Sequence, residues 1–130
     1  MATGTSKRPP KRTILVVDDD ATIRTMIVRA LRDKYSVIEA TDGLAALEML
    51  GGKIEPDLIL LDVMMPNIDG LTVAKRVKQD SKRKPTPIIF LTAKGTPADI
   101  ISGIQAGARH YMTKPFSMAA LLEKIEKLLS

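Results

Sequence analysis

Two kinds of segment alternate along this chain, and that alternation constrains the fold more than any single residue does. The first kind is a short apolar run rich in Ile, Leu and Val: Thr13 to Val17, Ser36 to Glu39, Asp57 to Leu61, Pro87 to Leu91 and His110 to Met112. The central three lack polar alternation, which marks strands buried on both faces; the flanking two carry a weaker signal. The second kind has helical spacing. Ile23, Met26, Ile27, Ala30 and Leu31 form one apolar stripe, and Met118, Leu121, Leu122, Ile125, Leu128 and Leu129 form another. Shorter helices are predicted over 43–50, 70–80 and 97–107. Thr96 suits an N-cap, Pro97 a first helical turn and Gly107 a helix end. Asp20 is expected to cap the first helix, and Asp69 to be a turn or cap residue beside Gly70, with Pro66 shaping the same loop.

The order is β-α five times over. Parallel strands need crossovers, and right-handed helical crossovers cover both faces of a sheet. The fold expected is α/β: a doubly wound five-stranded parallel sheet, (βα)5, in the flavodoxin-like order 2-1-3-4-5. A chain of 130 residues leaves no room for a second domain. The loops Gly51 to Pro56 and Ser81 to Thr86 read as simple connections, and the methionines as core filler.

The net charge of +5 invites a nucleic-acid reading, so its location matters. Lys7, Arg8, Lys11 and Arg12 carry four of the five units, leaving 16 basic against 15 acidic residues from 13 onward. The basic character therefore belongs to a flexible tail over residues 1–12, and the domain over 13–130 is nearly neutral; direct nucleic-acid binding by the domain is not expected. Cysteine is absent, which excludes a disulfide framework and a thiol nucleophile and fits the cytoplasm, where the protein is expected. The first twelve residues have no apolar h-region, and no run approaches the ~18 apolar residues of a membrane span.

In an open parallel sheet the functional crevice lies beyond the carboxyl ends of the strands. Asp18-Asp19-Asp20 follows the first strand, Asp62 the third, Leu91-Thr92-Ala93 ends the fourth, and Lys114-Pro115 follows the fifth. In the expected order these ends are neighbours. Unit charges ~4 Å apart repel by about 4 kcal/mol at an effective dielectric of ~20, so three carboxylates at one place call for a counter-cation. All-oxygen ligands favour magnesium, calcium or manganese; His110, the only histidine, has no metal partner nearby and reads as a strand-edge residue. A carboxylate can also be a nucleophile that forms an acyl phosphate, and phosphoryl transfer asks mainly for positioning and charge neutralisation. Asp18 and Asp19 with a metal, Lys114 as ammonium and Thr92 as hydroxyl would supply these, with the central Asp62 as nucleophile.

The segments Ile14-Leu-Val-Val-Asp-Asp-Asp20, Leu60-Leu-Asp-Val-Met-Met-Pro-Asn-Ile-Asp-Gly70, Leu91-Thr-Ala93 and Tyr111-Met-Thr-Lys-Pro-Phe116 resemble the signature of bacterial two-component response-regulator receiver domains, of the single-domain chemotaxis type. The resemblance runs from residue 13 to 129. It implies that Asp18 and Asp19 bind Mg2+ (or Mn2+), that Asp62 is the phosphoacceptor, and that the backbone carbonyl of Met64 is a further metal ligand. It implies that Thr92 and Lys114 contact the phosphoryl group, that Tyr111 is an aromatic switch, and that Lys114-Pro115 is a cis peptide. Met64 and Lys94 occupy the positions that influence hydrolysis of the acyl phosphate; a bulky Met64 would obstruct water and slow it. The implied donor is a sensor histidine kinase or a histidine phosphotransfer protein. The implied output is a downstream protein target, engaged through the fourth helix, fifth strand and fifth helix by a monomer or a phosphorylation-dependent dimer. The expected product is a switch rather than a classical enzyme, either acting alone or as an excised receiver.

Other readings fare less well. A metal-dependent phosphatase with an aspartyl nucleophile would want a second acid two positions after Asp62, where Met64 stands, and a substrate cap. A flavodoxin-like cofactor binder would want a glycine-rich phosphate loop after the first strand, where the acids stand, and no P-loop or G-x-G-x-x-G occurs. A phosphate-independent protein-interaction module would leave the complete acidic set without a purpose.

Overall fold

The structure, a computed structural model, describes residues 11–130. In chain order the elements are β1 (Thr13–Val17), α1 (Ala21–Leu31), β2 (Ser36–Ala40), α2 (Gly43–Leu50), β3 (Leu58–Leu61), α3 (Gly70–Gln79), β4 (Ile88–Thr92), α4 (Pro97–Gln105), β5 (His110–Thr113) and α5 (Met118–Leu129). The five strands form one parallel sheet in the order β2-β1-β3-β4-β5, which is the 2-1-3-4-5 arrangement.

Alternate residues of the inner strands feed two cores. Leu15, Val17, Ile59, Leu61, Ile88 and Phe90 pack with Ala46 and Leu50 of α2 and Val73, Ala74 and Val77 of α3. Ile14, Val16, Leu58, Leu60, Ile89 and Leu91 face the other way, onto Ile27 and Leu31 of α1 and Leu121 and Ile125 of α5. Both faces of β1, β3 and β4 are thus buried, which is why their sequences carry no polar alternation. The edge strands β2 and β5 are only half covered.

The helix ends follow local chemistry. Asp20, Asp42, Asp69, Thr96 and Ser117 each accept hydrogen bonds from the first-turn amides of their helices. Thr96 and Asp99 form a reciprocal capping box, with Pro97 in the first turn. Helix α4 stops at Gln105, two residues before the expected end, and Gly107 lies just beyond the cap at φ 111°.

Three expectations need correction. In α1 the inward flank is Ile23, Arg24, Ile27, Val28 and Leu31, whereas Met26 and Ala30 are exposed. The stripe follows i, i+4, i+8 with the adjacent residues on one side only. Met64 is exposed too, so not every methionine is filler. The two loops are also more than connections. Arg83 is buried, and its Nε and Nη2 donate to the Leu50 carbonyl at 3.1 and 2.8 Å, closing the free end of α2. Lys78 Nζ donates to the carbonyls of Lys84 and Thr86 at 3.0 and 2.8 Å. The tail expected over 1–12 lies, for residues 1–10, outside the described residues. Lys11 donates to the Arg32 carbonyl at 3.2 Å, and Arg12 lies 3.6 Å from Asp57.

Candidate functional site

Strand register brings the chemistry together. Val17 is level with Leu61, and Leu61 with Phe90, so the residues that follow β1 and β3 emerge side by side. Asp18, Asp19 and Asp62 each present a carboxylate oxygen, all within 4.8 Å of one another; Asp18 and Asp62 are buried and Asp19 is exposed. Lys114 arrives from beyond β5, and its Nζ lies 2.7 Å from Asp18 Oδ2 and 3.2 Å from Asp62 Oδ2. Thr92, fully buried at the end of β4, accepts through Oγ1 from the Lys94 amide at 3.2 Å, and its carbonyl accepts from the Lys114 amide at 2.8 Å. The Lys114–Pro115 peptide is cis.

Each acid is oriented by backbone. Asp62 Oδ1 accepts from the Met64 amide at 3.1 Å, and Asp18 Oδ1 from the Asp20 amide at 2.9 Å. Asp20 uses its own carboxylate to cap α1, which removes it from the cluster. The loop after β3 turns at Asn67, whose φ is 69°. It returns at Gly70, where any Cβ would collide with the Asp62 carbonyl. Gly70 therefore seats the start of α3 directly on the backbone of Asp62.

The electrostatics leave a deficit. Three carboxylates face one ammonium, a formal charge of −2 if all are ionised. Burial pushes the Asp18 carboxyl above its ordinary value, only partly offset by Lys114 and the Asp20 amide. Burial works against the Lys114 ammonium, but its bond to Asp18 and the charges of Asp18 and Asp62 outweigh this and raise its pKa. The donor set is all oxygen, compact and short of two positive charges, which fits one hard divalent cation. Zinc-type nitrogen or sulfur donors are absent from this cluster.

Around the acids, Met64, Met65, Pro66, Asp69, Val63 and Lys94 line an open depression with Asp19. Met64, at 51% exposure, stands at its mouth. Tyr111 sits on the far side of β4, where its hydroxyl donates to the Lys94 carbonyl at 2.6 Å and its ring lies 5.7 Å from that of Phe90. Burial, then Asp99 and Asp62, raise the Tyr111 pKa, so the hydroxyl remains a donor. Gly103 of α4 lies so close to this ring that a Cβ there would meet its carbons at 2.6 Å. Contacts thus run from Thr92 through Lys94 and Tyr111 to α4. The one polar neighbour of the cluster that sequence reasoning passed over is Arg24, which donates to the Asp18 carbonyl at 2.7 Å. The apolar spacing of α1 gave no signal for it, because the stripe Ile23, Met26, Ile27, Ala30 and Leu31 points to the opposite flank.

A partly buried acid cluster with a shared lysine, at the carboxyl edge of a 2-1-3-4-5 sheet, defines a receiver-type α/β domain. The chain belongs to the response regulator receiver domain family, whose sequence profile matches residues 14–126. It is 43% identical over 119 residues to the phosphate regulon transcriptional regulatory protein PhoB of Pseudomonas aeruginosa, covering 91% of this chain and 52% of that one. The chain spans about half the length of the curated relatives it matches. Among solved structures, the chemotaxis protein CheY4 of Vibrio cholerae superposes with a TM-score of 0.85 at 36% identity, over 92% of this chain and 99% of that one. The Mn2+-bound form of response regulator Rcp1 superposes with a TM-score of 0.77 at 28% identity, over 90% and 91%. Among the described residues no helix is long and apolar enough to cross a membrane.

Proposed function

We propose that this domain is a phosphorylation switch in which Asp62 accepts a phosphoryl group with the help of a divalent cation. The observation that carries this is the buried Asp62 carboxylate, held by the Met64 amide on one oxygen and by Lys114 on the other, within a cluster short of two positive charges. Asp18, Asp19, Asp62 and the Met64 carbonyl would hold Mg2+, with Mn2+ as a substitute; the Mn2+-bound relative Rcp1 supports this. When bound, the cation neutralises the acids and the incoming phosphoryl oxygens.

The donor is the phosphohistidine of a sensor histidine kinase or a histidine phosphotransfer protein. An Asp62 carboxylate oxygen attacks phosphorus, the P–N bond breaks, and the leaving imidazole takes up a proton. Lys114 and the Thr92 hydroxyl receive the phosphoryl oxygens. In doing so Thr92 gives up its bond from the Lys94 amide, and Tyr111, tied to the Lys94 carbonyl, shifts with it. Its ring packs on Gly103, so the change reaches α4, where Ile100, Ile101 and Ile104 stand exposed for a downstream protein target. The two states differ by little energy, and the added charge shifts their populations. Met64 at the mouth of the depression, with Lys94, limits the approach of hydrolytic water.

The test is intact mass after incubation with Mg2+ and acetyl phosphate, wild type beside Asp62→Asn. One added phosphoryl group, absent from the variant and absent without Mg2+, is expected. A folded wild-type protein that gains no adduct overturns the proposal in favour of a phosphate-independent interaction module.

A further inference from the structure

We propose that Arg24 is a positioning residue for the cation, setting the affinity of the acidic site by fixing the peptide unit that joins Asp18 to Asp19. The inference rests on the cation reading above. Asp18 and Asp19 are consecutive, so the plane of the one peptide between them decides how their carboxylates are presented. Asp18 is otherwise well held: its amide donates to the Ala40 carbonyl at 3.3 Å, and its carboxylate is bound by the Asp20 amide and by Lys114. Asp19 is exposed, and among the described residues its carboxylate accepts no hydrogen bond. Its aim therefore depends on the peptide that precedes it.

The carbonyl of that peptide is the Asp18 oxygen, and Arg24 Nη1 donates to it at 2.7 Å. This is a short, charge-assisted bond from a side chain that is itself only 14% exposed. The guanidinium is anchored from the other side, because its Nε donates to Glu39 Oε1 of β2 at 3.3 Å. Residues of α1 and β2 are thus clamped to the loop that carries both acids. A bare positive charge so near a cation site would weaken binding by repulsion. Glu39 offsets that charge, so the geometric contribution of Arg24 dominates.

Geometry and repulsion predict opposite signs, which makes the inference decidable. Mn2+ affinity is read from the electron paramagnetic resonance signal of free Mn2+, and Mg2+ affinity by calorimetry, on wild type, Arg24→Gln, Arg24→Lys and Glu39→Gln. Outer partners of metal ligands commonly change affinity by tenfold or more, and with one bond removed Arg24→Gln is expected to weaken both cations about five- to tenfold. Arg24→Lys, which retains a cationic donor, recovers most of the loss. Glu39→Gln weakens binding by a smaller factor, since Arg24 is then unbalanced. In acetyl phosphate reactions the half-saturating Mg2+ rises in Arg24→Gln, while the rate at saturating Mg2+ returns to within about twofold of wild type; a general structural defect would not be restored by cation. Unchanged or tighter binding in Arg24→Gln, or a rate that saturating Mg2+ does not restore, overturns the inference. Wild type that binds neither cation overturns the cation reading and this inference together.

Discussion

The two ends of the sheet handle buried charge in opposite ways. At the amino edge, buried or half-buried cations donate to backbone carbonyls: Arg83 to that of Leu50, Lys78 to those of Lys84 and Thr86. Each closes a loop or a helix end that would otherwise leave polar groups unsatisfied. At the carboxyl edge three acids share one lysine, and like charges are held together. One end satisfies its polar groups and holds the loops; the other keeps an excess of negative charge that a cation or a proton would relieve. Stability and chemistry should therefore separate on mutation.

The largest expected effect is at the carboxyl edge. Asp62→Asn abolishes phosphoryl incorporation by intact mass and, in cation-free buffer, stabilises the fold by about 1 kcal/mol in urea unfolding through relief of repulsion. Saturating Mg2+ narrows or reverses that difference, because it binds the complete cluster. A destabilised Asp62→Asn in cation-free buffer would break the contrast. At the opposite edge, Arg83→Met is expected to cost about 2 kcal/mol in urea unfolding, for the orphaned Leu50 carbonyl, while its rate of phosphorylation stays at the wild-type value. A large loss of phosphorylation in a folded Arg83→Met would show that the two edges are coupled.

Smaller effects sharpen the same contrast. Met64→Asn opens the mouth of the depression and is expected to shorten the acyl-phosphate lifetime several-fold, followed by loss of the phosphorylated mass, with the free energy of urea unfolding unchanged to within ~0.5 kcal/mol. The smallest effect is at His110 on the edge strand. Burial, then Lys124, Arg109 and Lys127, lower its pKa below the ordinary histidine value of 6.5. Between the unfolded value and the lower folded one, the unfolded chain binds more protons, so stability falls as pH drops through that window. A proton NMR titration of this single histidine is expected to show a midpoint below 6.5, moved upward in Lys124→Gln.

Much of this was legible because local chemistry and global pattern agree. The β-branched runs place the inner strands, and Thr96, Pro97 and Gly107 bracket α4. The convergence of Asp18, Asp19, Asp62 and Lys114 was legible because the strand order brings the carboxyl ends of β1, β3 and β5 to one edge of the sheet. What could not be read depends on partners far along the chain. Arg83 finds its carbonyl 33 residues away, so nothing in 81–86 announces a buried arginine. Arg24 lies beside an apolar stripe whose spacing predicts Met26 and Ala30 on the inward side, whereas α1 turns the flank of Arg24 and Val28 inward.

Lys114 lies 96 residues from Asp18 and 52 from Asp62. During synthesis from the amino terminus the acids of β1 and β3 emerge well before the lysine that holds them together. Until β5 pairs with β4, the carboxyl edge is a knot of uncompensated negative charge, and closing it is among the longest-range events in the fold. A competent pocket is thus a product of the finished sheet: a partly made domain carries the acids but has no ammonium to hold them.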